Sequence, residues 1–375
     1  MKLKDIFPKP WLGLAVLFVA VVMILFLQQK YQAVSVAVSG GKEDVLSNQS
    51  ISSVKEISTK EINQKRLVYP QAPDFVGIEH WINSEPLHIG DLRGKVVLVD
   101  FWTYTCINCI RTLPYLKAWH AMYAPEGLVI IGVHTPEFAF EKKYENVLSA
   151  AKEQGLLYPI AQDNEYGTWR AYGNRYWPHE YLIDIDGFVR HEHIGEGGYE
   201  ETEREIQKLL QERRERFQMN EKMNGTLQAA KIIGGVDFSQ IKSPEIYLGA
   251  LTTRGNFGNK EGYHLGGVIE YIIPTIIEKN TVYIRGMWKN NEDNLELAGE
   301  NGTVLLQYDA KQVNIVASAG AGAEIMVLVD GSVKNSVVVG EEKLYTVVEG
   351  EDYGVHTVEL RVRGRGFKMY TFTFG

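Results

Sequence analysis

The sequence predicts three parts in series: a single N-terminal transmembrane helix, an α/β unit, and an all-β domain of sandwich or jelly-roll type. Three observations lead there. An uncharged apolar run covers residues 11–27 behind Lys2, Lys4 and Lys9. Across residues 96–194, strand-like apolar runs alternate with helical periods, the pattern of strands joined by crossover helices. Beyond about Thr226 the chain turns to short β-rich runs broken by Gly, Asn and Asp, which suits a β-sandwich. With 45% hydrophobic and 23% charged residues in 375, the chain is globular over most of its length and long enough for two cores. A net charge of −8 without a clustered basic stripe argues against nucleic acid as a partner.

The apolar run is about 25 Å long as a helix, close to the thickness of a bilayer's hydrocarbon core. The lysines keep residues 1–10 in the cytoplasm, residues 11–28 form the anchor, and everything after lies outside the cell membrane. A cleaved signal peptide is the rival, with small residues at 33–39, but the apolar core is long for one. Residues 29–66, rich in Ser, Lys, Glu and Asn, read as a flexible linker with a reach of about 35 Å.

The α/β unit is expected at 67–217. Strand 96–102, helix 106–123 and strand 128–133 form a βαβ unit, followed by a helical stretch over 138–154, a short strand near 158–161 and a helix around 168–172. Strand 180–185 turns at Asp186-Gly187 into strand 188–194, and an amphipathic helix closes the unit at 201–216. After a linker at 218–242 the β domain fills 243–375. Its expected strands lie at 246–249, 281–285, 303–307, 312–317, 325–329, 345–348, 356–362 and 368–374.

Only two cysteines occur, Cys106 and Cys109, where the apolar strand feeds a helix. At a helix N-terminus the first sulfur meets unpaired amides and the positive end of the dipole, which favour thiolate. Cys109, one turn on, can reach it to close a disulfide while staying shielded. A zinc site would need four ligands and no other cysteine exists; a passive staple closing so short a loop would remove little chain entropy. Asp100 is a carboxylate in the middle of an apolar strand, where burial raises a carboxyl pKa.

The segment Leu98-Val-Asp-Phe-Trp-Thr-Tyr-Thr-Cys-Ile-Asn-Cys109, with Pro114 five residues on, resembles the central strand and active-site loop of thioredoxin-like proteins. The stretch from Ala72, with Leu92-Arg-Gly-Lys-Val-Val97, is closer to the membrane-tethered TlpA/ResA branch. The Thr-Tyr-Thr-Cys loop, Gly132-Val-His-Thr-Pro-Glu-Phe138 and the Tyr370-Thr-Phe-Thr-Phe-Gly375 ending look most like the soluble C-terminal part of DipZ-type proteins, whose last domain resembles carbohydrate-binding modules. The resemblance implies a thioredoxin-like fold and a thiol-disulfide oxidoreductase with a redox-active Cys106–Cys109 disulfide and no cofactor. It makes Pro178 a cis-proline beside the pair, and Asp100 or Glu137 the proton acceptor for Cys109. Trp177, Pro178 and Thr105 are the expected substrate contacts, although thioredoxin carries tryptophan where Thr105 stands. Implied partners are disulfide-bearing protein substrates and a membrane electron donor of the CcdA or DsbD kind.

Two alternatives stand beside this. Thr103, three residues before Cys106, has peroxiredoxin spacing, although Val99 occupies the place of the matching proline. A glycan-binding β domain could use Tyr247, Tyr263, Tyr283 or Trp288 as stacking platforms. His134 and His179 flank the expected site rim, and His191 and His193 have strand spacing for a metal but no third ligand, so no metal is expected.

Overall fold

The computed structural model describes residues 59–219, 227 and 236–375. The cytoplasmic segment, the anchor and most of the 29–66 linker lie outside the described residues. Among those described, no helix is long and apolar enough to cross a membrane. The last part of the expected linker is a helix, Thr59–Val68 (α1). Lys65 on it pairs with Asp184 at 2.7 Å and with Asp186 at 2.5 Å, so two carboxylates fix a segment whose composition suggested a coil.

The α/β unit is built on His80–Ile82 (β1), Val96–Trp102 (β2), Leu128–His134 (β3), Ile160–Gln162 (β4), His179–Ile183 (β5) and Val189–Ile194 (β6), in sheet order β1-β4-β3-β2-β5-β6. β2 and β3 are parallel, while β5 runs antiparallel to β2 and β6 to β5. β2 is buried along its whole length, so both its faces are covered and its sequence is continuously apolar except at Asp100. One face carries Leu98, Trp102 and Leu182 under the helices Ile107–Tyr123 (α2), Tyr144–Glu153 (α3) and Tyr199–Arg216 (α5). The other carries Val97, Val99, Phe101 and Tyr181 against Phe75, Trp169 and Tyr172, with Trp169 on the short helix Gly167–Ala171 (α4). The single helix expected over 138–154 is broken: Ala139–Lys142 is a 3₁₀ turn, Lys143 is extended, and α3 follows. Glu141 caps the start of the first turn, its carboxylate accepting from the Glu137 and Phe138 amides.

The β unit comprises Ile246–Tyr247 (β7), Val268–Tyr271 (β8), Val282–Asn290 (β9), Leu295–Leu297 (β10), Asn301–Asp309 (β11), Gln312–Ser318 (β12), Ala323–Val329 (β13), Ser332–Val339 (β14), Lys343–Glu349 (β15), Val355–Arg363 (β16) and Lys368–Phe374 (β17). The two leaves expected of a sandwich form one hydrogen-bonded, barrel-like sheet in the order β14-β13-β16-β11-β9-β10-β17-β12-β15. β9 belongs to both leaves: Val282–Arg285 pairs with β11, and Trp288–Asn290 with β10. The bend between these halves falls at Gly286, whose φ of 107° a side chain would oppose. β8, β10 and β14 escape the sequence pattern because two are very short and β14 is mostly exposed.

The β unit packs against the α/β unit beside the dithiol loop. Tyr370 lies against Phe138 and Phe140 at ring separations of 5.2 and 4.9 Å, and the Tyr104 hydroxyl donates to the Glu342 carbonyl. Arg111, two residues beyond Cys109, reaches Gln312 at 2.9 Å and the Phe374 carbonyl at 3.4 Å.

Candidate active site

Cys106 is the N-cap of α2, and its Sγ accepts the Cys109 amide at 3.3 Å. An oxygen usually makes this contact at a helix start; here a sulfur does, at the point where unpaired amides collect. Cys106 is half-buried, whereas Cys109 is 1% exposed, and both are free thiols. Burial pushes the Cys109 thiol well up, followed by its neighbour Cys106 and the Asp100 charge. The pair is thus asymmetric, one sulfur reachable and one held protonated beneath it.

Asp100 is where the strand pattern put it, fully buried, with its carboxyl pushed up to about 7 by burial. Glu137 is placed elsewhere. It accepts a 2.6 Å hydrogen bond from Tyr247 of the β unit and is pushed up to about 8, first by burial and then by Glu141 and Glu245. The charge felt by Cys109 is that of Asp100, so the two expected proton acceptors separate into one beneath the dithiol and one at the seam with the β unit.

The peptide bond Trp177-Pro178 is cis. β5 begins just after it, with His179 opposite Phe101, so Pro178 lies level with the end of β2 from which the loop to Cys106 departs. The Pro178 carbonyl accepts from Gly195, while the Trp177 backbone makes no hydrogen bond among the described residues. The Trp177 indole donates to the Thr135 carbonyl, and its ring packs on the cluster that contains Cys106 and Cys109.

Thr105 departs from expectation. It is buried, and its hydroxyl donates to Glu141 at 2.5 Å, so its side chain serves a buried carboxylate rather than a substrate. His134 and His179 are also not on a rim. Both are buried, and burial holds them neutral, at about 3 and about 4. The Thr103 hydroxyl lies 3.4 Å from His134 Nε2. Tyr247, Tyr283 and Trp288 are buried and Tyr263 packs on the core with Phe257, so these four aromatics offer no open stacking face. His191 contacts Thr202 at 3.3 Å, and no metal-binding cluster occurs among the described residues.

Five buried carboxylates escaped the sequence reading, Glu141, Asp163, Glu180, Asp184 and Glu203, of which Glu141 and Glu180 bear on the site. Glu141 follows the apolar Phe138-Ala-Phe140 but precedes Lys142-Lys143, so its place in the sequence reads as the start of a polar stretch. Glu180 follows Pro178 by two residues in His-Glu-Tyr-Leu-Ile, an alternation that looks like one polar face; only the sheet order shows that both faces of β5 are covered. A groove of about 370 Å³ opens beside the dithiol helix, lined by Tyr104, Ile110, Ala150, Gln154, Glu342 and Leu344.

Residues 68–192 match the AhpC/TSA family, and residues 243–375 match the family described as thioredoxin like C-terminal domain. The chain is similar to Protein DipZ of Mycobacterium bovis, 37% identical over 307 residues, which are 81% of this chain and 43% of that protein. It therefore spans less than half the length of that relative. It is also similar to the thiol-disulfide oxidoreductase ResA of Bacillus thuringiensis, 29% identical over 39% of this chain and 80% of ResA. Thiol-disulfide oxidoreductase YkuV of Bacillus subtilis is 26% identical over 37% of this chain and 94% of YkuV. The chain is thus similar to thioredoxin-like thiol-disulfide oxidoreductases, to ResA and YkuV over its α/β unit and to DipZ over most of its length.

Proposed function

We propose that this thioredoxin-like oxidoreductase reduces protein disulfides outside the cytoplasm, tethered by residues 11–28 and recharged by a membrane electron donor of the CcdA or DsbD kind. The observation that carries the reading is the asymmetric pair: a reachable Cys106 sulfur on the amides of a helix start, over a buried Cys109 beside Asp100.

Cys106 thiolate attacks one sulfur of a substrate disulfide, forming a Cys106–substrate bond and releasing the other substrate sulfur as thiolate. Cys109 then gives its proton to Asp100 and attacks Cys106. The Cys106–Cys109 bond forms, the second substrate sulfur leaves, and two electrons have passed to the substrate. Asp100 is suited to the transfer because, at about 7, it exists in both protonation states near neutrality. The unpaired Trp177 backbone beside Pro178 is the edge along which an extended substrate would pair. The engagement of the Thr103 hydroxyl by His134 favours this exchange over peroxide reduction. A glycan on the β unit rests on that unit's resemblance to carbohydrate-binding modules, and it would need a surface other than the four enclosed aromatics.

The test uses the full chain in native membranes. Cys109→Ser accumulates mixed disulfides with protein substrates, detected as adducts that collapse on reduction, and Cys106→Ser accumulates none. Adducts that form equally in both variants would overturn the cycle. Labelling of Cys106 in intact cells by a membrane-impermeant maleimide is expected only when the donor is present, since the pair stays oxidised without it.

A further inference from the structure

Beneath the dithiol, four strands contribute one polar row. Gly132 of β3 pairs with Asp100 of β2, Asp100 with Glu180 of β5, and Glu180 with His193 of β6, each as direct cross-strand partners. Directly opposed residues share a face with Cβ atoms about 5 Å apart, so the row lies on the face that α2 and α5 cover. Asp100 and Glu180 are 1% and 3% exposed. Asp100 Oδ1, Glu180 Oε2 and His193 Nε2 are all buried without a hydrogen-bond partner. Orphaned polar atoms are costly, and three in consecutive register positions need a reason. At the inner end of the row Gly132 makes room for the Trp102 indole, whose nitrogen a Cβ would approach to 2.8 Å, so the indole seals the row there.

We infer that Asp100 and Glu180 act as a coupled carboxyl pair sharing one proton, and that this pair passes the proton of Cys109 along the row to His193 at the sheet edge. The inference rests on the dithiol cycle proposed above and adds its proton exit. β6 is the last strand of the sheet and His193 is half-buried, so the row starts at a sealed thiol and ends near solvent. Two carboxylates this close in a dry site cannot both ionise. When Cys109 attacks Cys106, its proton moves to the ionised member of the pair. The other member passes one on to His193 Nε2, and the half-buried imidazolium gives up a proton toward solvent from its other nitrogen, so the pair returns to its starting charge. The titratable groups facing the row are Cys109 from α2, Tyr158 before β4, His191 from β6, and, beside His193, His179 from β5 and Glu201 from α5; Thr202 of α5 hydrogen-bonds Glu180. Among these only His179, His191 and His193 can carry positive charge, so no fixed cation neutralises the carboxyl pair.

Thionitrobenzoate loaded on Cys106 of the full chain reads the step directly, because attack by Cys109 expels the coloured thiolate. Wild type is expected to release it in two pH steps, the signature of a coupled pair. Glu180→Gln should leave one step, its midpoint lowered by roughly 1 unit through loss of the like charge, and Glu180→Asp should restore two. His193→Gln should slow release about ten-fold at high pH, with added imidazole buffer restoring the rate. A Glu180→Gln profile superimposed on wild type would overturn the pair, and an unslowed His193→Gln would overturn the exit. Failure of wild type to expel the label, or equal release from Cys109→Ser, would instead sink the dithiol cycle itself.

Discussion

Both units bury neutral polar groups, but among the described residues only the α/β unit buries carboxylates and histidines. In the β unit every fully buried polar residue among those described is neutral: Ser243, Thr303, Ser318, Thr371, Thr373 and the asparagines 259, 290, 294 and 314. Asn259 shows their purpose, donating to the Ile272 and Ile284 carbonyls at 3.1 and 2.8 Å and accepting the Ile284 amide at 2.8 Å. It ties a loop to β9 where no strand can. The α/β unit buries Asp100, Glu141, Glu180, His134 and His179, groups that burial drives away from their charged forms. Neutral amides return their desolvation cost as hydrogen bonds, whereas a carboxyl without partners stores it as a displaced pKa. The first kind of burial holds a fold together, and the second makes proton chemistry available near neutral pH.

The sharpest exception is Asp184, which is buried, ionisable and fully partnered. It accepts from Lys65, Arg190 and the amides of Asp186 and Phe188, all between 2.7 and 3.0 Å. Burial alone would raise its carboxyl, yet these partners hold it below the usual range. Asp184→Ala leaves two cations and two amides facing a gap. It is expected to cost about 3–5 kcal/mol in urea denaturation while leaving label release from Cys106 unchanged in the fraction that stays folded.

Asp100 should behave in the opposite sense. Its folded pKa of about 7 lies above the unfolded value of 3.8, so the native state binds the extra proton between these limits. Stability contributed by the protonated form is complete below about pH 4 and is lost as pH rises through 7. Asp100→Asn removes that loss and should be more stable than wild type by ~4 kcal/mol at pH 8, with little difference at pH 4. The same variant should release the label from Cys106 more slowly. Equal urea midpoints at pH 8 would show that the carboxyl is not under strain.

Asn259→Ala makes the smallest change and the cleanest contrast. It orphans one amide and two carbonyls of the β unit, for a loss of about 2 kcal/mol, with exchange at the dithiol unaltered. Coupling of this variant to label release would mean that the β unit does more than pack beside the site.

The sequence by itself determined the dithiol, its place between strand and helix, the burial of Asp100 and the change from α/β to all-β organisation, because each is written in local period and residue spacing. It misplaced Thr105, His134 and His179, whose burial depends on which element covers them. It could not find Glu180 as the partner of Asp100. Those residues stand 80 positions apart, and only the antiparallel register of β5 on β2 sets them opposite each other. Register is a property of paired strands rather than of either strand alone. The tertiary structure therefore decided which buried charges meet, and with that the path open to the proton of Cys109.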